Sequence, residues 1–150
     1  MTFEDLPPDW PRRPVTDPAI TADLLDLFVG DRDRAVGAVG ILLCGREGRL
    51  LQPMVVETPE LRMGAAERRR GFDALCAAFG HLGEPGASGL GLLVALARPG
   101  QPLVTPADLA WRDTAYRSCQ ESGLALLGVW LVTPEVIRPL PSRTPHRRSA

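Results

Sequence analysis

The stretch LLVALARPGQPLVTPADLAWRDTAYRSCQESGLALLGVWLV, residues 92–132, decides the fold. With Leu90 and Gly91 before it, the run to Ala97 is almost wholly apolar and does not alternate, the pattern of a central strand buried on both faces. Pro99-Gly100-Gln101-Pro102 breaks it. Thr105-Pro106-Ala107-Asp108 then carries the chemistry of a helix start: a hydroxyl at the N-cap, proline at the first helical position and an acid two residues on. The helix runs to about Ser122, and its inward stripe is Ala107, Trp111, Ala115 and Cys119 or Ser118. Gly123 stops it, and Leu124 to Thr133 is another apolar strand.

Working outward, Phe72, Leu75, Cys76, Phe79 and Leu82 fall at helical spacing and predict a helix with one buried stripe. Arg68-Arg69-Arg70 opens that helix on its solvated side, and Gly83 to Gly89 is a glycine-rich turn. Further upstream, the apolar runs Val36 to Cys44 and Leu50 to Glu57 flank Gly45-Arg46-Glu47-Gly48 and predict a β-hairpin, followed by a loop over 58–64. Asp17-Pro18 reads as N-cap and first position of a short helix with Ile20, Leu24, Leu27 and Phe28 inward, ending near Gly30. Residues 1–18 hold five prolines and predict an extended arm pinned by Trp10. Downstream, Val136-Ile137 and Leu140 add a short last strand after a turn at Pro134, and 141–150 is a basic, disordered tail. The expected order is α-β-β-α-β-α-β with a possible last β, an α/β (α+β) fold with one mixed sheet in a single domain over 19–140.

At 150 residues the chain is long enough for a buried core. Its formal net charge of −1 gives no global case for nucleic acid or an anionic membrane. All 17 basic residues are Arg, and Lys and Asn are absent, a bias that a GC-rich coding sequence explains, so Arg clusters are weak signals of phosphate binding here. The three cysteines, Cys44, Cys76 and Cys119, each lie in an apolar run and lack zinc spacing. The acidic start Met1-Thr2-Phe3-Glu4-Asp5 has no signal-peptide core, and no apolar stretch is long enough to span a bilayer. A reducing cytoplasm is the default location.

The segment from about Leu93 to Pro141, within a layout covering 19–140, resembles the JAB/MPN metalloprotease fold, most closely its RadC-like branch. The shared features are a helix, a hairpin, a second helix, a buried strand, a Pro/Gly break, Ser/Thr-x-x-Asp on a third helix and a final apolar strand. The resemblance implies a zinc site of two histidines from His-x-His-Pro and an aspartate from Ser-x-x-Asp, with a glutamate activating the metal-bound water. Leu96-Ala97-Arg98-Pro99 stands where His-x-His-Pro would be, and Thr105-Pro106-Ala107-Asp108 where Ser-x-x-Asp would be, one residue closer than the family spacing. Leu cannot ligate, and Arg brings a fixed positive charge. The degenerate positions are therefore Leu96, Arg98, Thr105 and Asp108, and the sequence implies no metal, no cofactor and no catalytic residue.

Beside that reading stand plainer ones. Thr105 and Asp108 are explained by helix capping. Glu57 and Glu67 both qualify for the family's glutamate, and Glu67 equally suits a helix start. His81 and His146 have no partner motif. Gly86-Ala87-Ser88-Gly89-Leu90-Gly91 precedes a strand, the wrong context for a dinucleotide loop or for a nucleophile at Ser88. Arg68, Arg69, Arg70 and Trp111 are the interface candidates, although Trp111 also suits the core. The expectation is a JAB/MPN-like domain without its zinc site, serving as a protein-interaction or oligomerisation module. The alternatives are an enzyme with an unrecognised site and a DNA-associated RadC-like factor, with nucleic acid the less favoured partner.

Overall fold

A computed structural model of the chain describes residues 3–45, 47–80 and 89–142. Four helices, α1 (Thr21–Phe28), α2 (Asp31–Val36), α3 (Ala65–Gly80) and α4 (Pro106–Ser122), accompany five strands. The strands are β1 (Ala38–Cys44), β2 (Leu50–Glu57), β3 (Gly91–Ala97), β4 (Ala125–Val132) and β5 (Ile137–Pro139), in one mixed sheet of order β2-β1-β3-β4-β5. Only the β3–β4 pair, joined through α4, is parallel; the other neighbours are antiparallel.

The apolar runs without alternation are explained by layers on both sides of the sheet. Val39, Ile41, Leu43, Leu92, Val94, Leu96, Val129 and Leu131 face α3 and α4, where Phe72, Cys76, Phe79, Trp111, Ala115 and Cys119 meet them. Ala38, Leu42, Cys44, Leu93, Ala95, Ala97 and Val132 face the opposite layer of Val15, Ile20, Leu24, Leu25 and Val29. Every residue of β1 and β3 is buried.

Several expectations change on the α1 side. The Pro-rich segment is not extended: it turns through short 3-10 helices at Phe3–Asp5 and Trp10–Arg12, and Val15 enters the core. Trp10 does pin it, edge-on to Phe28 with ring centroids 6.3 Å apart. Asp17 is not the N-cap of α1. Its carboxylate accepts from the Ala19 N–H, while its carbonyl accepts from Ile20, Thr21 and the Thr21 hydroxyl, so the helix proper begins at Thr21. That start rotates the stripe, burying Leu25 and exposing Leu27. Val36 ends α2, a helix the apolar pattern concealed, and β1 begins two residues later.

Gly37 makes that junction possible. Its φ is 114°, and a Cβ there would overlap the backbone of Thr58 and Glu60. At the C-terminal end, β5 follows a turn in which the Thr133 hydroxyl accepts from Glu135 and Val136, and Leu140 is buried. The tail expected over 141–150 lies outside the described residues from 143, as do Leu82, His81 and His146.

Candidate functional site

Of the four positions that the resemblance singles out, Arg98, Thr105 and Asp108 meet in space. β3 ends at Ala97, and the next residue, Arg98, reaches across the Pro/Gly break to the first turn of α4. Its Nε donates to Asp108 Oδ1 at 3.0 Å and its Nη2 to Oδ2 at 2.8 Å, a side-on, two-pronged ion pair. The same guanidinium donates to the carbonyls of Pro99, Gln101 and Leu103 and so holds the intervening loop. Asp108 Oδ2 also accepts from the Thr105 N–H, and the Thr105 hydroxyl accepts from the Asp108 N–H, completing a capping box. Asp108 is 1% exposed, and burial alone would push its carboxyl up. The hydrogen bonds from Arg98 and Thr105 outweigh that and hold it below the usual carboxylate range.

This donor set does not fit zinc. Leu96 is buried among apolar side chains, Arg98 carries the positive charge itself, and both oxygens of Asp108 already accept hydrogen bonds. Among the described residues no group of three His, Cys, Asp or Glu side chains converges on a point. The strand register sets Glu57 and Ala97 on either side of Ala38, at the same end of the sheet as Arg98. The Glu57 carboxylate turns instead to Arg32, 3.2 Å away. Glu67 lies exposed in the first turn of α3. His81 and Ser88 fall outside the described residues, and Gly89 to Gly91 lead into β3.

Arg68-Arg69-Arg70 does not form one solvated patch. Arg69 is spent within the fold, bonding both oxygens of Glu121 on α4 at 2.7 and 2.9 Å and Asp73 at 3.2 Å. Asp73 in turn accepts from Ser118, tying α3 to α4. Arg70 is exposed. Arg68 folds back, its guanidinium carbon 5.7 Å from the centre of the Trp111 ring. Trp111 is 3% exposed, so it is core and not a surface anchor. Its Nε1 donates to the Leu61 carbonyl at 3.2 Å, and its ring meets Phe72 edge-on.

Between these side chains and the β1–β2 edge lies a cleft of about 110 Å³, lined by Val39, Ile41, Val56, Met63, Phe72, Leu75 and Trp111 together with Thr58 and Arg68. The chain reaches it through a strained turn: Glu60 and Leu61 both have positive φ, 52° and 54°, in non-glycine residues. The composition gave no warning of this cleft. The one signal was the run Met54-Val55-Val56, apolar on both faces of the strand that the structure places at the sheet's edge.

No family model and no curated protein matches this chain.

The site thus has two neighbouring parts on α4, one turn apart. One is a closed ion pair where the resemblance places a metal. The other is an open apolar cleft beside an edge strand.

Proposed function

We propose that the chain is a non-catalytic JAB/MPN-like domain that binds another protein through the β2 side of its sheet. The observation that carries this is the composition of β2. It is an edge strand, yet Leu51 is 58% exposed and Val56 47%, and Val55 is exposed beside them. A free edge strand carrying apolar side chains on both faces is a docking surface or an aggregation hazard unless something covers it. Pro53 narrows the mode. The Thr58 N–H donates to Gly37, so alternation along the strand turns Pro53 outward, where it removes a donor from the free edge. Binding therefore uses the side-chain faces and the cleft, not the addition of a long continuous strand.

The Arg98–Asp108 pair supports the non-catalytic part. On the resemblance, a fixed cation stands where the metal's charge would be, and the same guanidinium ties down the loop between β3 and α4.

The test is association on a surface that does not carry the fold. Isolated from its own cells, the chain carries a stoichiometric protein partner, and Val56→Asp and Leu51→Asp each release it with the melting temperature unchanged. A partner retained by both variants, or a wild-type chain that stays unaccompanied and monomeric by light scattering, overturns the proposal.

A further inference from the structure

We propose that the cleft beside Trp111 seats one branched aliphatic side chain of the partner protein, with an adjacent carboxylate of that partner received by Arg68. This rests on the protein-binding reading above and specifies the chemistry of the partner.

Charge makes the first part of the case. Arg68 spends Nη1 on the Met63 carbonyl at 2.7 Å, while its Nε is buried with no acceptor. No ion pair among the described residues includes Arg68, although Arg69 next to it engages two carboxylates. A buried N–H without an acceptor is rare in folded proteins and costly, the more so on a charged group. The bond through Nη1 leaves unpaired the edge bearing Nε and Nη2, the edge that takes a carboxylate side-on, and with Nε sealed from solvent the carboxylate engages it as the cleft opens around the entering side chain. The carboxylates nearest Thr58 in sequence are engaged elsewhere: Glu57 pairs with Arg32, and Glu60 with Arg62.

Shape and surroundings make the second part. The remaining walls are apolar, so the group that enters must be apolar apart from its anion. A closed apolar cavity of roughly 150 Å³ accepts a benzene ring. The cleft, at about 110 Å³, suits a side chain the size of leucine. A free small acid would fill the cleft and leave Leu51 in water, whereas a protein segment is long enough to cover both. The strained turn at Glu60 and Leu61, held by the Trp111 hydrogen bond, fixes the position of Met63 and thereby of the Arg68 head.

The probes are three blocked dipeptides, N-acetyl-Leu-Glu-amide, N-acetyl-Leu-Gln-amide and N-acetyl-Ala-Glu-amide, with 4-methylpentanoate as the free acid. Binding to the full chain is followed in proton–nitrogen correlation spectra at the Arg68 Nε–H and the Trp111 Nε1–H. Leu-Glu shifts both signals, and Leu-Gln and Ala-Glu bind at least about tenfold more weakly, as loss of a charge-assisted bond or of the buried aliphatic group requires. Arg68→Gln brings Leu-Glu down to the Leu-Gln level. Since Arg68 also covers Trp111, the wild-type comparison of Glu with Gln decides the matter whether or not the variant folds.

Equal affinity for Leu-Glu and Leu-Gln, or absence of any shift at these two signals, overturns the carboxylate inference. If Val56→Asp still releases the cellular partner, the protein-binding reading then stands without it. Tighter binding of 4-methylpentanoate than of Leu-Glu overturns the assignment to a protein partner and makes the cleft a small-acid site.

Discussion

Both carboxylate oxygens of Asp108 accept from Arg98, and one also accepts from the backbone of Thr105, so capping is only part of what this residue does. Losing an N-terminal cap costs about 1 kcal/mol. Breaking a buried ion pair by removing one partner costs about 3–5 kcal/mol, because the other charge stays behind unpaired. The Asp108 side chain is 1% exposed and that of Arg98 12%, so the larger effect governs. Arg98→Ala and Asp108→Ala are each expected to lose about 3–5 kcal/mol by urea unfolding. A loss near 1 kcal/mol in both would mean that the ion pair contributes nothing beyond the cap. The pH dependence has a defined sign. The folded carboxyl titrates below its unfolded value of about 3.9, so its stabilisation is complete above that pH and is lost as pH falls through the lower folded value. Asp108→Asn should accordingly flatten the acid limb of the stability curve while leaving the cap largely in place. The motif Thr-Pro-Ala-Asp was fully legible as a helix start. The role of Arg98 was not, because a guanidinium finds its partner through the loop's return path and not through sequence spacing.

On α4, Trp111 joins two other segments: it packs on Phe72 and lies under Arg68, both of α3, and it bonds the carbonyl of Leu61 in the turn after β2. Trp111→Ala removes a large buried ring, a change that costs about 3–5 kcal/mol. Trp111→Phe keeps most of the ring and loses the indole N–H, at about 0.5–1.5 kcal/mol for the hydrogen bond. Measured by thermal and urea unfolding, the alanine variant should be the worse by at least twofold. Near-equal losses would show that the bond to the strained turn matters more than the packing. Periodicity placed Ala107, Trp111, Ala115 and Cys119 inward; the last three are buried, but Ala107, in the first turn beside the N-cap, is exposed. It failed on α1, where Asp17-Pro18 imitates a cap. There the carbonyl of Asp17 gathers hydrogen bonds from Ile20 and Thr21 into a turn, and the helix starts later, exchanging Leu27 for Leu25. Local chemistry of equal quality served two different structures, and packing against β1 and β3 chose between them.

Across the whole molecule the sheet separates two cores, and a cysteine reports on each. Cys44 faces the α1 layer, while Cys76 and Cys119 lie between α3, α4 and the other face. Burial pushes the Cys44 thiol up to about 11; the hydrogen bond that Cys119 donates to Cys76, together with burial, pushes the Cys119 thiol up, while the same bond holds Cys76 below its usual value. Because all three are buried, none should react with iodoacetamide at pH 8 in the folded chain, and all should become reactive at one urea concentration. Labelling of Cys44 at a lower concentration than the other two would show that the Pro-rich segment and α1 detach as a separate unit. No helix among the described residues is long and apolar enough to cross a membrane. The order of the main strands and helices, the mixed sheet and the inward faces of α3 and α4 were determined by the sequence alone, because hydrophobic period, proline and glycine act locally. The folding-in of the Pro-rich segment, the helix α2, the division of Arg68, Arg69 and Arg70 among three environments, and the cleft beside Trp111 were decided only by the tertiary structure. Each depends on which distant surface a side chain meets once the sheet has formed, and no spacing along the chain encodes that.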